Sequence, residues 1–434
     1  HSYSKNASVK SIFYYTSYDA ETIFLNQGTN DIFHYSFYNQ DLAKIEFQWD
    51  LTFGASHLLT IGTGGNFESV DSDIIIDSTA NSKAFFAFAQ HDWIITDKIN
   101  LISSLRYDDH SNYTSSLNPK IAISYELFPK FSLKANVGSG FKAPSPENLF
   151  LNWTNPTEGY SVFGVTGIVD KLNELKNQGL ITDFLIDLNK IKDLKPEHSI
   201  SFNFGASYEI MKNLNSNFNL FRNEVSDMIE WQVVAMNQDT RQKYFTYFNL
   251  RSVYTQGIEA NLSYKLFFSD QTLENINNAS NSSIDFNIGY QYLETADRDV
   301  LEQIKNSKIW KVGSNGIPRP VQEVEYGGLF NRSKHSLTVK IKYDNPDWGF
   351  SAFLRGSIRS KFGISDINGN NILDDEKEYI NAYQLWNFTL TQKLPFDFIS
   401  QFAINNIMNT KAKDLLITPG RTFFVSLIYN FNKK

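Results

Sequence analysis

Apolar and polar side chains alternate with a period of two through most of this 434-residue chain. In segment 199–210, for example, Ile200, Phe202 and Phe204 alternate with serine, asparagine and glycine, and segments 130–137, 258–266 and 336–343 repeat the pattern. Successive side chains of a β-strand point to opposite faces, so each segment predicts a strand with one apolar and one polar face. Such strands build either a soluble sheet protein, whose apolar faces meet each other, or an outer-membrane barrel, whose apolar face meets lipid.

Composition excludes several other classes of protein. The absence of cysteine excludes a disulfide-stapled fold, a thiolate zinc site, an iron–sulfur protein and a cysteine nucleophile. The formal net charge of −7 argues against a nucleic-acid partner. No run of about 18 apolar residues occurs, so no transmembrane helix is predicted. An aromatic content of 15% with a mean hydropathy of −0.34 fits both of the remaining β classes.

The lengths of the connections separate these two classes. The alternation predicts about 16 strands, with boundaries uncertain by a few residues. They lie near 9–25, 42–53, 55–70, 83–95, 98–109, 117–127, 130–140, 199–210, 214–234, 243–266, 284–295, 336–344, 347–359, 382–393, 398–407 and 421–431.

Connections at one end of these strands are mostly tight turns, such as Phe128-Pro129, with 268–283 as a longer exception. Connections at the other end are mostly long, with about 59 residues between Gly140 and Ser199. Short turns on one rim and long loops on the other are typical of outer-membrane barrels. The sequence therefore predicts an all-β fold, a transmembrane antiparallel β-barrel, over 1–434.

The last predicted strand carries a second indication. Its apolar stripe at a period of two comprises Phe423, Val425, Leu427, Tyr429 and Phe431. This stripe resembles the C-terminal signal of bacterial outer-membrane proteins, although that signal ends on the aromatic residue and Asn432-Lys433-Lys434 follow here.

Several short motifs resemble those of TonB-dependent outer-membrane receptors, especially the Bacteroidetes type related to siderophore and colicin receptors. The order of the motifs carries the resemblance. In the box from Gly140 to Glu147, Lys142 stands where the family has arginine. The motifs are Asn118-Pro119-Lys120, the box from Gly140 to Glu147, Leu194-Lys195-Pro196-Glu197, Asn219-Leu220-Phe221-Arg222-Asn223, Tyr247-Phe248-Asn249 with Thr255-Gln256-Gly257-Ile258-Glu259, and Asn405-Asn406-Ile407 with Pro419-Gly420-Arg421.

This resemblance implies a barrel of 22 strands with an N-terminal plug inside it. Because about 16 strands are visible, the first strands and the plug are expected outside 1–434, in an omitted segment or in another chain. The first residues, His1-Ser2-Tyr3-Ser4, do not resemble a signal peptide and do not begin with an initiator methionine. Upstream sequence is therefore expected.

The resemblance also implies a function. It implies a receptor in the outer membrane of a Gram-negative bacterium, in contact with outer-membrane lipid, whose plug is pulled by the TonB–ExbB–ExbD complex. The expected cargo is a ferric siderophore or another iron complex, with haem, cobalamin, a glycan or a peptide as rivals. A surface lipoprotein is a further candidate partner. The alternative is a passive porin-like or structural barrel, and no enzyme activity is expected.

Candidate ligand-binding residues lie in the expected outer loops. In the longest loop, 141–198, Ile168, Leu172 and Leu175 fall at helical spacing, and Leu185, Leu188 and Ile191 do so again. Two short helices are therefore expected over the mouth, where they either pack the loop on itself or support a ligand lid. The lid residues would be Asn152, Trp153, Tyr160 and Phe163, and His34 and His110 lie in or beside other outer loops.

One acidic segment suits a hard cation. Asp366, Asn368 and Asn370 offer side-chain oxygens at alternate positions, Ile372 a backbone carbonyl, and Asp374 and Glu376 further carboxylates. The segment resembles an EF-hand-type calcium loop, with Asn371 in place of the usual glycine and Lys377 where a bidentate acid is expected. The sequence therefore predicts either bound Ca²⁺ or an acidic, solvated loop.

Overall fold

The computed structural model describes residues 2–4, 6–157, 159–181, 184–237, 239–240, 242–268, 282–313, 316–364, 366–370, 372–411 and 419–429. Three short α-helices are α1 (Pro146–Phe150), α2 (Ile168–Asn177) and α3 (Arg298–Lys305). Three single 3₁₀ turns lie at Leu188–Lys190, Glu323–Glu325 and Glu376–Glu378. Within the described ranges, no helix is long and apolar enough to cross a membrane.

Strands dominate the structure. They are β1 (Ser2–Ser4), β2 (Ala7–Leu25), β3 (Ile32–Phe53), β4 (His57–Ser72), β5 (Thr79–Thr96), β6 (Ile99–His110), β7 (Tyr113–Phe128), β8 (Phe131–Lys142), β9 (Asn152–Thr154), β10 (Tyr160–Phe163), β11 (Glu197–Met211), β12 (Leu214–Met236), β13 (Lys243–Phe268), β14 (Ser282–Asp297), β15 (Trp310–Val312), β16 (Pro318–Pro320), β17 (His335–Asn345), β18 (Phe350–Arg359), β19 (Phe362–Gly363), β20 (Tyr379–Ile380), β21 (Tyr383–Lys393), β22 (Phe398–Asn405) and β23 (Thr422–Tyr429).

Each of the sixteen predicted strands is present. The other strands, β1, β9, β10, β15, β16, β19 and β20, have two to four residues each. The largest boundary error is in β3, which begins at Ile32 and not near residue 42. Its first part carries Phe33, Tyr35, Phe37 and Tyr38, so aromatic residues occupy both faces and hide the alternation there.

The chain divides into two compact units. The first comprises 1–123, 136–201 and 224–253, and in it β2 to β6 pair in sequence order as antiparallel neighbours. The second comprises 124–135, 202–223 and 254–434, and in it β14, β17, β18, β21, β22 and β23 pair in that order. Consecutive antiparallel pairing of long strands is the meander expected of the predicted fold.

The connections alternate in length, as predicted. Tight turns occupy 54–56, 97–98, 129–130, 212–213, 346–349 and 394–397. At the opposite strand ends the connections 143–196, 298–334, 360–382 and 406–421 are long, whereas 26–31, 73–78 and 237–242 have six residues each and 111–112 has two. The expected longer exception on the tight side lies mostly outside the described residues, at 269–281.

The apolar face of the strands is uncovered. On β11, Ile200, Phe202 and Phe204 are each 48–49% exposed, and on β23 Phe423 and Val425 are more exposed still. A soluble sandwich would bury these side chains against a second sheet, because each would otherwise leave a large apolar area in water. The uncovered apolar face therefore distinguishes a lipid-facing sheet from the soluble alternative. Phe431, the last residue of the predicted stripe, lies outside the described residues.

The opposite face carries hydrogen-bonded polar side chains. The Asp50 carboxylate accepts from Gln48 Nε2 at 2.9 Å and from Thr60 Oγ1 at 2.8 Å. In the second unit, Gln291 Nε2 donates to Glu259 Oε1 at 2.9 Å. Polar residues paired with one another along a sheet face are what a water-filled lumen permits.

Buried apolar cores lie in the long connections. One core joins α2 to neighbouring segments, and another forms around α3. The first contains Phe163, Ile168, Leu172, Leu175, Ile181, Val234, Ala235 and Tyr244, and the second contains Val300, Ile304, Ile309, Val321 and Ile372.

The predicted pair of helices in the longest loop is half correct. α2 forms, and Ile168, Leu172 and Leu175 are all buried. The second predicted helix is wrong, because only the 3₁₀ turn Leu188–Lys190 forms there. Leu185 N donates to Val234 O at 2.9 Å, so strand-like pairing with β12 replaces the helix at its start.

Candidate functional site

A cavity of about 430 Å³ lies in the first unit, between β2, β3 and the loop strand β9. It opens among the strand ends that carry the 26–31 connection, which places it on the long-loop side. Its wall combines aromatic and polar side chains. The aromatic lining residues are Tyr18, Phe24, His34, Phe37, Tyr38 and Trp153, and the polar ones include Glu147 and Asn155.

Two predicted ligand residues, His34 and Trp153, both line this cavity. His34 lies near the start of β3 and stacks on Phe24 of β2, with ring centroids 5.6 Å apart. Tyr18 and Tyr38 form an edge-on pair across the same two strands, at 6.3 Å. Cross-strand aromatic pairs of this kind stabilise one another and hold the rings in fixed positions.

Trp153 is positioned by a small sheet inside the longest loop. β9 pairs with β10, which in turn runs parallel to β13 and pairs Tyr160 with Lys243. Thr154 and Ser161 hydroxyls are 2.8 Å apart, and Gln242 Nε2 donates to Ser161 Oγ at 2.8 Å. The loop is therefore tied to the barrel wall, so Trp153 is presented from a fixed element.

Helix α1 brings the acidic group to the cavity. Ser145 is its N-cap, accepting from Asn148 N, while Asn148 Oδ1 accepts from Ser145 N to complete a capping box. Pro146 follows as a first helical residue, a position that its fixed φ favours. These signals stand in the box that resembles the family motif, and they place Glu147 in the cavity wall.

An aromatic cluster continues from Trp153 beyond the cavity. Tyr160 lies 5.5 Å from Trp153 and 6.1 Å from Phe245, and Phe245 lies 4.9 Å from Trp231. Trp231 is 52% exposed. The sequence prediction missed Trp231 and Phe245, although an aromatic residue near each end of the 237–242 connection was a usable signal.

The other predicted ligand residues lie elsewhere. Phe163 is only 4% exposed, and its ring stacks on that of Tyr244 in the core around α2. Its side chain therefore stabilises the loop by packing in that core. Asn152 is exposed and pairs with Phe163 across β9 and β10. His110 ends β6, where it stacks on Tyr113 at 3.8 Å and its Nδ1 accepts from Asn112 N at 3.1 Å.

In the acidic segment, the side-chain oxygens serve the local backbone. Asp366 Oδ1 accepts from Gly369 N at 2.8 Å, Asn368 Oδ1 from Asn370 N at 3.1 Å, and Asn370 Oδ1 from Ile372 N at 3.2 Å. Ile372 is buried in the core around α3. Asn371 lies outside the described residues.

Asp374 is paired with groups of the protein. Its fully buried side chain accepts from Asn368 Nδ2 at 2.8 Å and from Asn370 Nδ2 at 3.2 Å. Lys311 Nζ donates to Asp374 O at 2.8 Å and lies 3.7 Å from Asp374 Oδ2. Glu376 faces Lys361 Nζ at 2.8 Å. In the part of the chain that the structure covers, no three His, Asp or Glu side chains are grouped to hold a metal ion.

Ion pairs lock the acidic segment to the connection that carries α3. Lys311 Nζ also contacts Glu325 Oε1 at 3.0 Å, and Arg319 binds both carboxylate oxygens of Glu325, at 2.8 and 2.6 Å. The Arg319 guanidinium holds the pKa of Glu325 well below its usual range. Burial beside Glu378 raises the pKa of Tyr379 to about 12. In this part of the second unit, the ion pair between Lys311 and Asp374 therefore joins two long connections, 298–334 and 360–382.

Comparison with known proteins identifies the family. Residues 1–407 match the family described as TonB dependent receptor-like, beta-barrel. The iron-regulated outer membrane virulence protein of Vibrio cholerae is 23% identical over 237 residues, which cover 50% of this chain and 32% of that protein. The probable TonB-dependent siderophore receptor PirA of Acinetobacter baumannii is 28% identical over 156 residues, covering 35% of this chain and 18% of that protein.

Solved structures show the same fold. The ferric enterobactin receptor PfeA of Pseudomonas aeruginosa superposes with a TM-score of 0.66 at 15% identity, over 98% of this chain and 59% of that one. The chain thus spans a third or less of the two curated relatives and about three fifths of this receptor structure. Because the family match covers nearly the whole chain, this protein belongs to the TonB-dependent receptor-like β-barrels, a family of outer-membrane receptors of Gram-negative bacteria and not of enzymes.

Proposed function

We propose that the chain is the barrel portion of a TonB-energised receptor that imports a scarce nutrient, with a ferric siderophore or another iron complex as the leading cargo. The observation that supports this most is the aromatic cavity of about 430 Å³ on the long-loop side. Pockets for bulky organic ligands have this size, with apolar and aromatic walls and a few placed polar groups. Haem, cobalamin, a glycan or a peptide are the rival cargoes.

We further propose that a plug and the first strands complete the barrel. The uncovered apolar face supports a lipid environment, and an open sheet edge in lipid would leave backbone groups without partners. The missing part would lie in a segment outside these 434 residues or in a separate chain. Through that plug the TonB–ExbB–ExbD complex would open a path, and a surface lipoprotein would be a further partner.

Whole-cell uptake tests the proposal. Cells that carry the complete receptor would be offered ⁵⁵Fe bound to a catecholate or a hydroxamate siderophore, and in parallel haem or cyanocobalamin, with and without a functional tonB locus. Uptake of one of these probes that depends on TonB supports the importer. A passive porin would admit small solutes equally in both strains.

Trp153→Ala examines the cavity through binding of the accepted probe to the same cells. Loss of the indole removes an aromatic wall, so we expect binding of the accepted probe to weaken by about tenfold, corresponding to about 1.4 kcal/mol. Trp310→Ala is a matched control, because Trp310 is an exposed tryptophan in another loop. If both variants bind the probe equally well, the cavity is not the cargo site.

A further inference from the structure

Two histidines approach each other closely on neighbouring strands, away from the cavity and the acidic segment. His57 is the first residue of β4, and His91 lies on β5. Their facing nitrogens, His57 Nδ1 and His91 Nε2, are 3.0 Å apart. The register pairs His57 with Trp93 and Leu59 with His91, so the two histidines are diagonal neighbours on one face of the sheet.

That face is the apolar one. Ile61 and Phe85, which share the parity of the histidines on β4 and β5, are 40% and 51% exposed. Trp93 lies beside both imidazoles, with ring centroids 5.7 Å from His57 and 6.3 Å from His91. Tryptophan marks the level where lipid headgroups begin, and His57 directly follows the tight turn 54–56. Water and ions therefore reach the pair at the edge of the apolar band.

The separation of the nitrogens is compatible with two interactions, a hydrogen bond and a shared metal ion. A hydrogen bond between neutral imidazoles needs one donor and one acceptor at about this distance. Metal binding needs two lone pairs that point at one ion about 2.05 Å from each nitrogen. With the nitrogens 3.0 Å apart, the angle at such an ion would be about 94°.

An angle near 90° favours some metal ions over others. Adjacent positions of a square-planar or tetragonal ion subtend about 90°, which suits Cu²⁺ and Ni²⁺. Tetrahedral Zn²⁺ would need nitrogens about 3.35 Å apart. Among divalent ions of the first transition row, affinity for nitrogen ligands peaks at Cu²⁺.

We propose that His57 and His91 form a binding site for a tetragonal divalent transition-metal ion, with Cu²⁺ preferred. The two rings are nearly coplanar, with an interplanar angle of 8° and centroids 5.3 Å apart, so their facing lone pairs point at each other. The ion takes the place of the proton shared between His57 Nδ1 and His91 Nε2 after each ring turns by about 40°, which points both lone pairs at the ion. Each neutral imidazole then carries its proton on its other nitrogen, so a neutral pair releases none. The remaining coordination positions are taken by water or by headgroup oxygens, since the described residues offer no group of three ligating side chains.

Copper titration of the complete receptor in detergent tests this site directly. Cu²⁺ quenches the fluorescence of a nearby indole, so Trp93 reports on the site, and Trp93→Phe identifies its share of the receptor's tryptophan fluorescence. Electron paramagnetic resonance of the Cu²⁺-loaded receptor counts the bound nitrogens. We expect two equivalent imidazole nitrogens, quenching that is lost in Trp93→Phe, and weaker binding of Zn²⁺ than of Cu²⁺.

Substitutions test whether the nitrogens bound to Cu²⁺ belong to His57 and His91. His57→Gln with His91→Gln should abolish the two-nitrogen signal and the Trp93 quenching, and His91→Asn alone should leave at most one nitrogen. His335→Gln is the matched control, because His335 is an exposed histidine hydrogen-bonded to Tyr290 on another part of the sheet. A wild-type spectrum without two nitrogens, or unchanged copper binding in the double variant, would overturn the proposal.

Discussion

At the scale of single residues, the two faces of each strand should respond differently to the same substitution. Leu262 of β13 is on the exposed apolar face, whereas the adjacent Ser263 lines a polar groove with Glu209 and Lys130. Leu262→Arg places a charge on the lipid-facing side close to the tight turn 212–213, because Lys265 N already pairs with Asn213 O. It should reduce the free energy of unfolding, by less than the about 2–4 kcal/mol that an arginine costs at the midplane. Ser263→Arg is the matched control and should be far milder, as measured by urea unfolding in lipid vesicles. Equal losses would indicate a sheet that is buried on both faces.

The acidic segment gives a second prediction at this scale. If Ca²⁺ binds there, Asp366→Ala with Asn368→Ala should abolish calcium-dependent protection of the segment from protease while the barrel stays folded. The structure also supplies an internal cation, since Lys311 Nζ contacts Asp374. Lys311→Met therefore serves as the companion variant, because it should loosen the segment whether or not calcium is present. Equal cleavage of the wild type in calcium and in chelator would leave only the acidic-loop interpretation.

At the scale of elements, the two interlocked loops of the second unit should respond to acid. Because Arg319 lowers the pKa of folded Glu325, the pair stabilises the loops above the ordinary carboxyl pKa of 4.5. That contribution is lost as the pH falls below this value toward the lowered pKa. The protection of the amides in 318–325 against hydrogen exchange, after correction for the intrinsic rates, should therefore fall as the pH is lowered from 4.5 to 3, and it should fall less in Glu325→Gln. Matching profiles for the wild type and the variant would show that the pair contributes nothing.

The same elements show what the sequence could and could not predict. Alternation was sufficient for the sixteen long strands because each strand repeats one local rule. It failed at 32–41, where aromatic residues occupy both faces. The helical spacing failed at 185–191, where Leu185 pairs with β12 and only a 3₁₀ turn follows. The placement of His34 and Trp153 in one cavity, or the pairing of Lys311 with Asp374, depends on contacts between residues distant in sequence, which no local pattern encodes.

At the scale of the whole molecule, the central claim is that the strands cross the outer membrane, with long loops outside and tight turns in the periplasm. These 434 residues contain no cysteine, so the receptor without an introduced cysteine serves as the control for labelling elsewhere in the complete receptor. Asn152 and Val324 lie in long connections, and Lys98 and Trp348 lie in tight turns; all are exposed.

Cysteines at these four positions in the complete receptor, treated in whole cells with a thiol reagent that cannot cross the membrane, give the most direct test. We predict labelling of Asn152→Cys and Val324→Cys in intact cells, and labelling of Lys98→Cys and Trp348→Cys only after the outer membrane is opened. Labelling of Lys98→Cys in intact cells would contradict the topology, and labelling of all four would contradict a membrane-spanning barrel.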